Sequence, residues 1–184
     1  MSPRPSPIVL ALFAFILAVA LGVGAQPASA QPANGVSPIG AFRDWYTFQY
    51  QEEGSPVCFM VTRPTRSEGD YTRRGEVFMM VTHRPGRNSR DVVSILTGYT
   101  YREGSEATIA VDGGQPFTLF TEGENAWAYD SQTDQAAIAA MKAGTRAVVR
   151  GTSSRGTLTT DTFSLLGFTA AYEAITGACG LPSA

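Results

Sequence analysis

The chain has one histidine (His83), one lysine (Lys142) and two cysteines (Cys58 and Cys179). One imidazole and two thiols cannot close a tetrahedral zinc set without carboxylates, so a zinc site is excluded as a first reading. A Ser-His-Asp arrangement would have to use His83, with Ser153 or Ser154 and Asp161 as partners, and the sequence has no G-x-S-x-G elbow. His83, beside Arg84 and Pro85, reads as a strand-end residue entering a turn, and a weak hydrolase is kept only as a minor alternative. The chain also lacks a broad basic stripe. Its 14 Lys and Arg are interspersed with 16 Asp and Glu for a formal charge of −2, which argues against nucleic acid as a partner. Nor is there an apolar run of the ~20 residues that a bilayer core demands. Ile8–Gly24 reaches 17.

That run follows Arg4 and precedes the small-x-small end Ala28-Ser29-Ala30. Residues 1–30 read as a cleaved export signal, with an uncleaved anchor as the rival. No cysteine follows the run to accept a lipid, so after cleavage the protein is membrane-associated at most peripherally. Without residues 1–30 the chain keeps 154 residues, loses Arg4 and none of its acids, and carries a formal charge of −3. A body of this size can bury about two-thirds of its unfolded surface in a single domain. In an oxidising compartment two cysteines read most simply as one disulfide, Cys58–Cys179, the alternative being two separate buried thiols.

Residues 31–41 form a Pro/Gly-rich lead-in, expected to be mobile until Phe42, and residues 42–184 form the domain. Arg43–Tyr50, Val57–Thr62, Val77–Thr82 and Val92–Thr97 read as strands, the third apolar on both faces and so covered on each side. Arg63–Gly75 between them reads as a solvated loop. Glu106–Asp112 alternates with Ala107, Ile109 and Val111 inward, and Gly113-Gly114 turns it into Pro116–Thr121 as a hairpin. Asn125–Tyr129 is expected to place Trp127 and Tyr129 in the core in preference to an exposed sugar-stacking platform. A helix capped by Thr133, striped by Ile138 and Met141 and stopped at Gly144 follows. Thr145–Thr152 and Thr157–Leu165 make the last hairpin, with a bulge expected near Thr159–Asp161 because Leu158 is out of phase with Phe163 and Leu165. Phe168, Ala171, Tyr172 and Ile175 give a second helix an inward face, ended by Gly177. Eight or nine short strands and two short helices predict a mostly antiparallel β-sandwich.

VFMMVTHRP (Val77–Pro85), VSILTGYTYREGSEATIAVDG (Val93–Gly113), AWAYD (Ala126–Asp130), AAMKAG (Ala139–Gly144) and GTSSRGTLTTDTFSLLGFTAAYEAI (Gly151–Ile175) together resemble the invasion-associated locus B (IalB) family of exported bacterial proteins. The resemblance implies an immunoglobulin-like β-sandwich in the periplasm or on the outer envelope, and in pathogenic members a part in host-cell entry. It implies no catalytic residue and no cofactor.

Ser153, Ser154 and Arg155 form a hairpin tip whose hydroxyls, guanidinium and N–H groups suit a carboxylate or phosphate, against the reading that they only satisfy a turn. Gly123-Glu124, Asp130 and Asp134 lack the spacing of a calcium loop. The arginines from Arg63 to Arg90 read as a solvated face, able to meet an anionic surface only if their loops converge. The sequence therefore predicts an exported, non-enzymatic protein that binds an envelope or host-cell surface protein or glycan. A structural envelope-maintenance role without a host partner is the alternative.

Overall fold

A computed structural model describes residues 35–182. The expected signal (residues 1–30) and the first part of the lead-in (31–34) lie outside the described residues. The sheet begins inside that lead-in, with β1 at Ser37–Phe42. There follow β2 (Trp45–Glu52), β3 (Ser55–Thr62), β4 (Arg66–Gly69), β5 (Phe78–Arg84), β6 (Ser89–Leu96), β7 (Glu106–Val111), β8 (Phe117–Glu122), β9 (Asn125–Ala128), α1 (Ser131–Ala143), β10 (Arg146–Thr152), β11 (Leu158–Ser164) and α2 (Phe168–Ala178). The fold is mostly antiparallel β with two helices.

Hydrogen bonding runs unbroken through one sheet in the order β1-β2-β3-β5-β6-β9-β8-β7-β10-β11-β4, every pairing antiparallel. The sheet curls until its far strands meet its near ones. The indole N–H of Trp45 donates to the Ser164 carbonyl at 3.1 Å, and the N–H of Thr65 donates to the Thr162 carbonyl at 2.8 Å. Both halves of the curl feed one core, with Met60, Val81 and Val93 from one side and Ile109, Val149 and Phe163 from the other. The Asp112-Gly113 turn closes the β7–β8 hairpin with both residues at positive φ, 47° and 77°, as a two-residue hairpin turn of this hand requires.

The second helix seals this core through the expected face. Phe168, Ala171, Tyr172 and Ile175 are all buried, and the Phe168 ring meets Trp45 edge-on at 5.0 Å. The helix runs past Gly177 to Ala178, and Cys179 at its end is bonded to Cys58 of β3, with Cα atoms 5.9 Å apart. In α1 the cap is Asp130, not Thr133. Its carboxylate accepts from the Thr133 N–H at 2.7 Å, which holds Asp130 below the usual carboxylate range.

Three expectations fail for one reason, the phase of a strand. In β9 the alanines Ala126 and Ala128 face the core beside Ala137 and Ile138 of α1, where a helix packs close and only small side chains fit. Trp127 is therefore half-buried on the outer face and Tyr129 is 59% exposed. In β11 there is no bulge, since the β10 register is regular throughout. The strand keeps its phase by exposing Leu158 and turning Thr159, Asp161 and Phe163 inward. The third is Arg63–Gly75, which contains β4, paired with β11, and a buried arginine side chain.

Two buried ionisable groups sit where α1 and α2 meet β5 and β6. The Thr176 hydroxyl donates to the Tyr172 carbonyl at 2.8 Å, so it accepts from Nε2–H of His83 at 3.2 Å. His83 Nδ1 in turn accepts from the Asp91 N–H at 3.1 Å, which fixes a neutral imidazole. Burial lowers its pKa to about 4, against the attraction of Asp91 and with help from Arg90 and Lys142. Asp134 accepts from the Val93 N–H at 2.9 Å, and burial, with Asp91 and Asp130 nearby, raises it to about 6.

The signs of these two shifts oppose. His83 gives stability that is complete above pH ~6.5 and is lost toward pH 4, about 3 kcal/mol in all. Asp134 gives back a similar amount, about 3 kcal/mol, as pH falls from about 6 to ~4. Denaturant titrations of the wild type should accordingly give a nearly constant unfolding free energy between pH 6 and 4. Asp134→Asn keeps an acceptor for Val93 and should lose about 3 kcal/mol over the same acidification. A wild type that loses as much as the variant would contradict this. Separately, the Cys58→Ala/Cys179→Ala protein should be less stable by up to about 5 kcal/mol in urea, from release of a 121-residue loop. A change below ~1 kcal/mol would mean that the loop is already restrained in the unfolded chain.

Candidate functional site

Asp161 is the residue from which the site is built. It points inward from the middle of β11 with 1% of its side chain exposed, and a carboxylate there requires a cation. Arg74 supplies it from the far side of β4. Its two terminal nitrogens donate to the two Asp161 oxygens at 2.7 and 2.6 Å, and its Nε donates to the Thr97 carbonyl at 2.7 Å. The guanidinium also lies between the rings of Tyr99, 5.0 Å away, and Tyr71, 5.5 Å away. Burial alone would lower the Arg74 pKa, but Asp161 outweighs it and the net displacement is upward.

Beneath this clamp the backbone crosses itself at two glycines. The N–H of Gly75 donates to the Gly98 carbonyl at 2.9 Å, and a Cβ on Gly98 (φ +68°) would fall 2.5 Å from the Gly75 carbonyl. Only glycine allows segment 70–75 to lie this close over 98–101. Tyr99 then reaches β11, its hydroxyl 2.7 Å from that of Thr159, and Tyr101 bridges to Ser153. The Tyr101 hydroxyl is buried and has no hydrogen-bond partner among the described residues.

The predicted tip, Ser153-Ser154-Arg155, arrives at the same place. Ser153 is a turn residue. It is buried, its hydroxyl accepts from the Thr157 N–H at 3.1 Å, and its carbonyl accepts from Gly156 at 2.8 Å. Ser154 donates its N–H to the Thr100 carbonyl at 2.8 Å, which leaves the Ser154 and Arg155 side chains exposed. Between this tip and segment 70–74 lies a groove of about 480 Å³, whose floor includes Gly98, Tyr99 and Thr100. Its charged lining is Arg73 and Arg155 against Asp70 and Glu124, with hydroxyls from Thr72, Thr157 and Ser154. Neither Arg73 nor Arg155 makes an ion pair among the described residues.

The other candidates disperse. His83 is engaged with Asp91 and Thr176 and Asp161 with Arg74, so Ser153, Ser154, His83 and Asp161 do not assemble. Asp130 and Asp134 are spent on the Thr133 and Val93 N–H groups. Of the arginines from Arg63 to Arg90, Arg63 pairs with Glu76, Arg66 with Glu68, Arg87 with Glu52 and Arg90 with Asp91, so the segment is not a free cationic face. Sequence reasoning missed Arg74, Tyr71 and Tyr99. The available signal was Asp161 itself, an acid in the inward phase of an otherwise apolar strand.

Arg74→Ala leaves the Asp161 charge buried and unmatched and should cost about 3–5 kcal/mol of unfolding free energy. The pair replaced together, Arg74→Met with Asp161→Leu, should recover most of that loss in the same denaturation experiment. If the double variant is no more stable than the single one, the pair is not the source of the cost.

Residues 45–176 match the family model described as Invasion associated locus B (IalB) protein. No curated protein matches the chain. Among solved structures, the crystal structure of invasion associated protein B from Bartonella henselae is similar in fold, with a TM-score of 0.56 and 19% sequence identity over 76% of this chain and 95% of that one. The family match begins at the first residue of β2 and ends within α2, so the chain belongs to the invasion associated locus B (IalB) family.

Proposed function

We propose that this protein is exported to the cell envelope and acts there by non-covalent capture of a protein or glycan in the groove between segment 70–74 and the 153–157 tip. The observation that carries the reading is the pair Arg73 and Arg155, both exposed and unpaired beside a rigidly held floor. A groove with two arginines, two acids and several hydroxyls offers charge-assisted and neutral hydrogen bonds to a polar partner. It offers no nucleophile with an adjacent base, which supports binding over catalysis. Export is supported by the signal-like residues 1–30 and by the bonded cysteines, since such bonds persist in oxidising compartments. Family membership supports an invasion-associated role, and the Bartonella protein bears that description in its own title.

Crosslinking of the native protein in its own cells, followed by identification of the adduct, should recover a surface or envelope component. Arg73→Ala/Arg155→Ala should fold with an unchanged near-UV spectrum and capture that component at least ~10-fold less well, the scale of losing two charge-assisted hydrogen bonds. Equal capture by the variant, or no adduct from the wild type, would overturn the proposal.

A further inference from the structure

Trp127 belongs to a second surface, separate from the groove. On the outer face of the sheet the strand registers align seven residues in one row, each directly paired with the next: Tyr46, Val61, Met80, Ser94, Trp127, Phe120 and Glu106. A neighbouring row runs Phe78, Leu96, Asn125, Glu122 and is extended by Arg63, whose guanidinium lies 5.0 Å over the Phe78 ring. On the other side run Phe48, Phe59, Thr82 and Val92. The large apolar members are partly exposed, with Tyr46 at 54%. No described element lies over them, because α1 and α2 turn their buried residues to the opposite, inner face. Open hollows flank the rows, one of about 420 Å³ at Tyr46 and Phe78 and one of about 710 Å³ at Trp127 and Phe120.

We infer that this face binds a second copy of the same chain, related by a two-fold axis that runs along β6. The inference rests on the order of residues within the rows. Such an axis reverses each row about its β6 member and leaves the position along the strands unchanged. Ser94 then meets Ser94 and Leu96 meets Leu96. In the first row Met80 faces Trp127, Val61 faces Phe120, and the Tyr46 hydroxyl faces Glu106. In the second, Phe78 faces Asn125 and Arg63 faces Glu122. Every apolar residue finds an apolar or amide partner, and each charged end finds a complement.

The charges decide between occupants. Basic residues, Arg43 and Arg63, stand at the β2–β3 end of the face, and acids, Glu106, Glu122 and Asp130, stand at the β7–β9 end. A uniformly charged or lipid surface does not match such a face, whereas a reversed copy of itself does. Arg63 also pairs with Glu76, but 67% of its side chain remains exposed, so it is free to meet Glu122 of the other copy.

The size is adequate. Six strand spacings of ~4.8 Å by ~20–25 Å of strand give roughly 600–700 Å² in projection, on the order of the ~800 Å² per partner of a standard interface. Two such faces pack ~10 Å apart with strand directions within ~30°, so the pairing holds best near β6.

The test is sedimentation velocity on the purified protein across about 1–100 µM, the range in which interfaces of this size and polarity assemble. The wild type should form a dimer. Arg63→Glu and Glu122→Arg should each raise its dissociation constant at least ~10-fold by setting like charges face to face, twice per dimer. The double reversal, Arg63→Glu with Glu122→Arg, should restore it to within ~3-fold of the wild type. Unchanged near-UV spectra confirm that the variants fold. A wild type that stays monomeric at the highest concentration overturns the inference. So does a dimer that the single reversals do not weaken, or one that the double reversal fails to restore.

Discussion

A carboxylate in the inward phase of a strand has to be matched from somewhere, and Asp161 is matched by Arg74 across 87 residues of chain. The fork geometry uses both carboxylate oxygens, and the third nitrogen reaches the Thr97 carbonyl, so the guanidinium is satisfied on every side. Such a pair gives little net stability over well-packed apolar residues of the same size. What it fixes is position. Without it nothing buried would tie segment 70–75 to the sheet, and β4, whose residues are all exposed, would hang on β11 by backbone bonds alone. The groove wall is therefore placed by a charge pair that looks structural and is not itself available to a ligand.

The same pair explains part of the preference for arginine over lysine. Arg74 makes a bidentate contact, donates to a carbonyl and lies between two phenol rings, a combination that an ammonium cannot reproduce. Arg63 stacks on Phe78 while pairing with Glu76. The one lysine, Lys142, lies over a single ring, that of Tyr172 at 3.9 Å, where a point charge suffices.

Periodicity made the helices, the β7–β8 hairpin and the inward face of α2 legible, because in each the apolar residues are also the buried ones. It failed where size and polarity outrank hydrophobicity. Trp127 is the largest side chain of its strand, yet the alanines beside it are buried, since the space under β9 is set by the approach of α1. Leu158 suggested a slipped phase because Asp161 was assumed to face water. The structure keeps the phase and neutralises the acid instead. Of the candidate site, the 153–155 tip could be read from its Ser, Gly and Arg composition. The opposite wall could not, since its residues belong to a segment whose charge resembles that of a loop in free solution. Residues 31–41 carried the same ambiguity. Pro and Gly mark loops, but at a sheet edge they are tolerated, and Ser37–Phe42 pairs with β2 through a register shift between Pro38 and Gly40.

The groove and the outer face share no lining residue, but their energetics are connected. Exposed charges such as Arg73 and Arg155 contribute about 0.2–1 kcal/mol each as ion pairs, so one groove alone holds a small polar epitope weakly. A surface that displays many copies of that epitope changes the arithmetic. When one groove of a two-fold dimer is occupied, the second binds at an effective concentration set by the fixed spacing of the pair, and avidity exceeds the single-site affinity by about 10²–10⁴ without any new contact. A protein that captures by shallow, charge-rich contacts gains more from a second copy of the site than from a deeper one. Deepening the groove would bury Arg73 or Arg155, and a buried guanidinium without a partner costs several kcal/mol, the penalty that Asp161 removes for Arg74 and that nothing beside Arg73 or Arg155 removes for them.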